Sequence, residues 1–204
     1  MGIYSAWLFP RVLDLVMQQK QMIPFRARIG SAAAGRVLDV GVGSGLNLAF
    51  YGDKTERVYG VDPSSELLRF AERRVRRAAI PVELLLGSSE ALALEDKSID
   101  TVVLTFTLCT IGIPAAALAE MRRVLKSGGK LLFAEHGRAP EPSVARWQDR
   151  LTPLWKRVAG GCHLNRKPDD LIRSAGFRVD TLETGYLKGP RPMGFVYAGS
   201  ASAM

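Results

Sequence analysis

Three glycines and one aspartate carry the first chemical signal in this chain. Gly41, Gly43 and Gly45 follow residues 37–40, a short apolar and mostly β-branched run that reads as a buried strand. Glycine tolerates φ > 0 and has no Cβ, so a ligand can lie against bare backbone at such a turn. Asp62 stands about 20 residues past the first glycine, at the tip of the next predicted strand, residues 57–61. A carboxylate there suits the two hydroxyls of a ribose. The Gly-x-Gly-x-Gly spacing brings the third glycine one residue earlier than in the dinucleotide fingerprint, and Leu46, Asn47 and Leu48 follow in an apolar run that could begin a helix. That fits a nucleoside without phosphates better than a pyrophosphate on a helix N-terminus.

The remaining chemistry-bearing residues are few. His136 and His163 are the two histidines, and each could act as a general base or orient an acceptor. His136 falls just past the end of the fifth predicted strand, where ligands bind in open α/β sheets. Cys109 follows the fourth strand, and Cys162 precedes His163 in a glycine turn. Two well-separated cysteines without a Cys-x-x-Cys pair read as reduced thiols in a cytoplasm. The spacing of Cys109, His136, Cys162 and His163 spells no zinc motif, so no metal is expected.

The elements that must position these groups alternate along the chain. Strands are predicted at residues 82–86, 99–105 and 130–135, with helices at 64–78 and 114–125. Strands alternating with helices imply a parallel sheet covered on both faces. A helix or broken helix at 4–22 and a second at 24–33 precede the first strand. The former is amphipathic and would either cover the site or rest on a membrane surface. After His136 the pattern loosens into a helical stretch at 140–155, a short helix at 168–175 and two closing strands at 177–183 and 194–198. Their short connection permits an antiparallel pair. The residues from 199 onward are expected to fray.

Length bounds the architecture to a single domain over 1–204, in three parts: an N-terminal helical segment (1–34), a cofactor-binding core (35–136) and an acceptor-side cap with the closing strands (137–204). No apolar run nears the ~20 residues needed to span a bilayer. The formal charge of +8 favours anionic partners. Part of it, Arg69, Arg73, Arg74, Arg76 and Arg77, falls on one amphipathic helix and reads as a solvated face. No helix-turn-helix or RNA-binding aromatic motif accompanies the charge, so nucleic acid is not the expected partner. No motif sets an oligomeric state.

Through these residues the chain resembles the class I S-adenosylmethionine-dependent methyltransferases. The matching stretches, in order, are Val-Leu-Asp-Val-Gly-Val-Gly-Ser-Gly, Val-Tyr-Gly-Val-Asp-Pro-Ser, Ser-Ile-Asp-Thr-Val-Val-Leu-Thr-Phe-Thr-Leu-Cys and Arg-Arg-Val-Leu-Lys-Ser-Gly-Gly-Lys-Leu-Leu-Phe-Ala-Glu-His. The resemblance implies a Rossmann-like, seven-stranded, mostly parallel sheet with the last strand antiparallel, helices on both faces and an N-terminal helical lid. Carried over by residue, it implies that Gly41, Gly43, Gly45 and Asn47 form the turn beneath the methionine part of S-adenosyl-L-methionine, with Asp39 near its amino group. Asp62 would hold the ribose, Pro63 and Ser64 would flank the adenine, and Ser88, Ser89 and Glu90 would meet its edge. Many relatives have Asp where this chain has Ser88, which would pass that hydrogen bond to Ser89 or to backbone. Thr105 and Leu108 would line the methyl end.

Within that family, Thr-Leu-Cys-Thr-Ile at 107–111 and Leu-Trp-Lys-Arg-Val-Ala-Gly-Gly-Cys-His-Leu-Asn-Arg at 154–166 look like the thiol S-methyltransferase group. Phospholipid N-methyltransferases and quinone C-methyltransferases are similar to a lesser degree. The implied partner is a small-molecule acceptor, with a peripheral membrane contact as the alternative. Tyr4, Trp7, Cys109, Trp155 and Cys162 are its candidate pocket residues. Asp62→Ala is expected to weaken S-adenosylmethionine binding by about 1 to 3 kcal/mol, the worth of a hydrogen bond to a charged group. Isothermal calorimetry checks this, and unchanged affinity removes Asp62 from the site.

Overall fold

The computed structural model describes residues 8–204, so Tyr4 and Trp7 lie outside the described residues. The sheet has seven strands: β1 (Gly35–Val40), β2 (Thr55–Asp62), β3 (Val82–Leu86), β4 (Ile99–Thr105), β5 (Leu125–His136), β6 (Phe177–Tyr186) and β7 (Phe195–Ala203). Their order is β3-β2-β1-β4-β5-β7-β6. The pairs from β3 to β5 are parallel, while β7 is antiparallel to both β5 and β6. The order reverses between β1 and β4, so a crevice opens at the carboxyl ends of those two strands. Residues 41–45 and 106–111 leave the sheet there.

Both faces of the central strands are buried, as parallel sheets require. Val37, Leu38 and Val40 of β1 and Val102, Val103 and Leu104 of β4 have no exposed surface. Leu38, Val40, Val102 and Leu104 join one core with Met121 and Val124 of the helix that follows β4. Val37 and Val103 join the other with Ile29 and Leu48.

The helices are α1 (Phe9–Met17), α2 (Ile23–Ala32), α3 (Ser65–Val75), α4 (Pro114–Val124), α5 (Pro142–Val158), α6 (Pro168–Ser174) and the single turn α7 (Arg191–Gly194). Ser64 caps α3 by accepting the Leu67 N–H at 3.2 Å. Proline opens α4, α5 and α6 at a position whose N–H has no partner within the helix.

Three sequence expectations need correction. The apolar run after the glycine turn makes only a 3₁₀ turn at Leu48–Phe50 rather than a full helix. Asn47 turns inward to bond Asp39 and Thr105, and α2 packs so tightly there that a Cβ on Gly30 would sit 2.4 Å from the Phe50 carbonyl oxygen. Next, β5 begins at Leu125 rather than 130 and takes the Gly128-Gly129 turn into its bounds. Finally, residues from 199 do not fray. β7 runs to Ala203 because it lies between β5 and β6 and pairs on both edges, as where Ala201 faces Leu131 and Val179.

Gly45 shows how the glycine turn is locked to the rest. Its φ is +82°, and a Cβ there would meet Leu48 and Ala71 of α3 at 3.0 and 3.2 Å. Gly45→Ala is therefore expected to cost about 1 to 2 kcal/mol from the left-handed conformation alone. A urea titration should show the midpoint falling. An unchanged midpoint would mean that the turn adapts freely.

Candidate functional site

A cavity of about 620 Å³ fills the crevice above β1 and β4. Its walls come from the glycine turn, the end of β2, the turn after β3, the turn after β4, α1 and the C-terminal end of α5 with its following turn. The size is ordinary for a small-molecule site.

Asp62 is buried at 7% exposure and is fixed by two amides. The Gly43 N–H donates to one carboxylate oxygen at 2.9 Å and the Ser64 N–H to the other at 2.8 Å. Burial nevertheless raises its pKa above the ordinary value. Gly41 (φ +66°) follows β1, and its absent Cβ would overlap the Thr107 side chain at 2.3 Å. At Gly43 a Cβ would meet nothing nearer than a backbone oxygen at 3.8 Å, so this glycine leaves open space beside Asp62. Pro63, Ser64, Ser88, Ser89, Glu90 and Thr105 complete this part of the wall. Ser88 Oγ accepts the Glu90 N–H at 3.1 Å, and Glu90 accepts the Ile113 N–H at 2.7 Å.

Four expected cofactor residues do not line the cavity: Asp39, Gly45, Asn47 and Leu108. Asp39 is fully buried. It accepts from Asn47 Nδ2 at 3.0 and 3.1 Å and from the Tyr51 hydroxyl at 2.9 Å. Asn47 Nδ2 also donates to Thr105 Oγ1 at 2.7 Å, and its Oδ1 accepts from Arg26. These groups tie β1, β4 and α2 together behind the glycine turn. Arg26 and Tyr51 belong to this network too. The sequence marks neither one, since an isolated Arg is ordinarily exposed and an isolated Tyr is ordinarily only partly buried.

The turn after β4 is the second wall, and it is held from outside. Glu135 is fully buried and accepts the Thr107 and Leu108 N–H groups at 2.9 and 3.0 Å. Burial pushes its pKa up to about 8 against those two hydrogen bonds. Arg166 donates to the carbonyls of Leu108 and Ile111, both at 2.7 Å. It therefore braces this turn from outside the cavity lining, while Lys167 pairs with Asp170 at 3.5 Å. Phe106 takes φ +55°, a conformation uncommon outside glycine, and packs edge-on to Phe25 at 6.4 Å. The visible signal for Glu135 was a charged residue ending an otherwise apolar strand.

This bracing brings Cys109, His136, Trp155 and Cys162 to the same cavity. The two sulfurs are 3.3 Å apart, and Cys162 Sγ is 3.9 Å from His136 Nδ1. The hydrogen bond between the thiols lowers the Cys162 pKa and, together with burial, raises that of Cys109. His136 Nε2 and the Trp155 indole nitrogen are buried without a hydrogen-bond partner among the described residues. His163 does not join them. It is outside the cavity lining, and both its N–H and its Nδ1 address the Cys109 carbonyl, at 2.8 and 3.1 Å. Burial lowers its pKa. The ring predicted as a candidate base thus braces the Cys109 backbone in this structure.

Helix α1 forms the roof through Phe9, Val12, Leu13 and Val16. Asp14 ties it to α3 through Arg74 at 3.0 Å. Gly160 (φ +59°) lets the turn after α5 approach the Phe9 ring, where a Cβ would sit 2.5 Å away. Among the described residues no helix is long and apolar enough to cross a membrane.

A doubly wound sheet with a nucleoside-type cleft at its switch point defines a class of cofactor-binding α/β protein. Comparison narrows it. A family model described as a methyltransferase domain matches residues 38–133. The chain is 32% identical over 175 residues to thiol S-methyltransferase TMT1B of Homo sapiens, covering 83% of this chain and 70% of that one. Against the Rattus norvegicus protein of the same name it is 35% identical over 158 residues, 76% of this chain. It spans 64% of that relative's length. A SAM-dependent methyltransferase structure from Aquifex aeolicus superposes with a TM-score of 0.65 at 20% identity, over 96% of this chain and 98% of the other. The chain belongs to the methyltransferase domain family.

Asp39 generates a pH test. Its pKa is raised to about 6, first by burial, against hydrogen bonds from Asn47 and Tyr51. A carboxyl whose pKa is higher folded than unfolded stabilises the fold below the unfolded value near 4, and loses that contribution as pH rises through the folded value. Asp39→Asn cannot titrate. Relative to wild type, the variant is expected to gain roughly 2 to 3 kcal/mol between pH 4 and pH 7 in the cofactor-free protein. Denaturant titrations at several pH values check this, and parallel curves for the two proteins would refute it.

Proposed function

We propose that this protein transfers a methyl group from S-adenosylmethionine to the sulfur of a small thiol. The single observation that carries the reading is that one cavity is lined both by the Gly43–Asp62 pair and by Cys109, His136 and Cys162. The residues present fit the cofactor: Asp62 has its orientation fixed by two amides, and Gly43 leaves room beside it. When bound, S-adenosylmethionine supplies a methyl carried on a sulfonium.

The chain's own groups would then do three things. Asp62 would accept the ribose hydroxyls, and Gly41 and Gly43 would offer bare backbone to the rest of the cofactor. The α1 roof, with Phe9, Val12 and Val16, would exclude water and hold the reactants in line, which is where most of the rate gain in such a transfer arises. His136, with a buried unpartnered nitrogen, would orient the thiol or take its proton. The transfer needs no covalent intermediate, so neither cysteine need act as a nucleophile.

The character of the cavity supports a small, uncharged acceptor. Its one permanently cationic lining residue among those described is Arg26, and that guanidinium is engaged by Asn47 and the Met17 carbonyl. The arginines of α3 face outward, apart from Arg74, which bonds Asp14 and the Ser44 carbonyl. The relatives named thiol S-methyltransferases agree with this reading. One observation favours a lipid or quinone acceptor at a membrane surface instead: Leu15 of α1 and Leu8 just before it, both outside the cavity lining, are 72% and 43% exposed.

The test is S-adenosylhomocysteine release across alkyl and aryl thiols, quinols and phosphatidylethanolamine vesicles. Release with free thiols, absent with the others, is expected. Release only with vesicles or quinols would overturn the thiol assignment in favour of the membrane-surface reading.

A further inference from the structure

Three soft donors converge on the acceptor end of the cavity. Cys109 Sγ, Cys162 Sγ and a ring nitrogen of His136 all lie within 4.8 Å of one another. They come from the turn after β4, the end of β5 and the turn after α5, so only the folded chain assembles them. In a tetrahedral zinc site, with metal–sulfur near 2.3 Å and metal–nitrogen near 2.0 to 2.1 Å, ligand atoms sit about 3.5 to 3.8 Å apart. The separations of 3.3 Å between the sulfurs and 3.9 Å from Cys162 Sγ to His136 Nδ1 bracket that range.

A second observation points to a ligand at this place. His136 is 8% exposed, yet Nε2 has no hydrogen-bond partner among the described residues, and Nδ1 faces the Cys162 sulfur. Its Nε2 carries no structural hydrogen bond among those residues and its Nδ1 meets only the Cys162 sulfur, so the imidazole is free to bind a cation through Nδ1. His163, by contrast, is committed to the Cys109 carbonyl, and Arg166 and Glu135 brace the backbone that carries Cys109.

We propose that Cys109, His136 and Cys162 form a three-ligand site for a thiophilic divalent cation, zinc by its donor set, with the fourth position open to the cavity. Two cysteines and one histidine with an open position is the ligand count of a catalytic rather than a structural zinc centre. The consequence for the reaction rests on the thiol acceptor proposed for this cavity. An acceptor thiol entering the fourth position binds as its thiolate and releases its proton to solvent. Its sulfur then forms the new bond to the methyl carbon. The sulfonium–methyl bond breaks with its electron pair left on the donor sulfur, giving a neutral thioether. His136 is then a ligand, and no side-chain base is required.

The test uses the full chain, reduced and stripped of metal, and does not depend on turnover. Zn²⁺ in competition with a chromophoric chelator is expected to bind at one equivalent. Co²⁺ is expected to give tetrahedral ligand-field bands and a thiolate-to-cobalt charge-transfer band, both of which shift when an alkyl thiol is added. Cys109→Ser, Cys162→Ser and His136→Asn are each expected to weaken Zn²⁺ by at least ~100-fold, beyond the usual loss of an outer partner. Circular dichroism confirms that each variant is folded, and if one is not, the cobalt spectrum of the wild type still decides the site. No stoichiometric binding by the reduced wild type, or binding indifferent to all three substitutions, overturns the proposal. Methyl transfer to thiols without metal binding would overturn the metal site and leave the thiol reading intact. A bound metal with no thiol turnover would do the reverse.

Discussion

The turn after β4 is gripped from both sides of its backbone. Glu135 takes the amides of Thr107 and Leu108, Arg166 takes the carbonyls of Leu108 and Ile111, and the His163 N–H takes that of Cys109. Buried peptide groups without partners cost roughly 1 to 3 kcal/mol each, so a turn leaving the sheet at this depth needs such anchors. Much else depends on it. Thr107 rests against Gly41 and so sets the space over the glycine turn, and Phe106 is held at a positive φ against Phe25. Cys109 is presented to the cavity by the same contacts. The cap residues 163–166 are therefore not an appendage to the cofactor core. They complete one of its walls.

The two buried aspartates beside the site divide the labour differently. Asp62 faces the cavity and keeps acceptor capacity beyond its two amides. Asp39 faces the core and spends itself on Asn47 and Tyr51. Both are raised by burial, and both stand at the carboxyl end of a strand or one residue before it. What separates them is position along the sheet. Asp39 pairs with Gly60, so Asp62 lies two residues further toward the crevice on the same face, and the residue at the tip is the one that meets a ligand.

Much of the fold was legible because periodicity and breakers carry local information. The alternation of residues 37–40, 57–61, 99–105 and 130–135 with amphipathic helices defines a parallel sheet, and proline and glycine mark its punctuation. The Gly43–Asp62 relation was legible for the same reason, since it spans one βα unit. Glu135, Arg26 and the role of His163 were not. Each acts through a partner 21 to 54 positions away in sequence, and no local pattern encodes such a pairing. The convergence of Cys109, His136 and Cys162 belongs with these: their spacing looks random along the chain and is set only when the α5 turn folds over β4 and β5.

The placement of β7 has a consequence for how the chain is assembled during synthesis. By residue 136 the strands that carry the glycine turn, Asp62 and His136 have all emerged, and β3, β2, β1, β4 and β5 can pair in turn. The outer edge of β5 has no partner at that stage. β6 emerges next but does not pair with β5, since β7 lies between them in the finished sheet. An apolar strand edge, with Leu131 and Phe133 beside it, therefore stays open until residues 195–203 arrive and slide into a slot bounded on both sides. Open edges of this kind recruit other chains. The vulnerable interval in the life of this protein is thus the elongation of its last third, when the cofactor half is already shaped and its flank is bare.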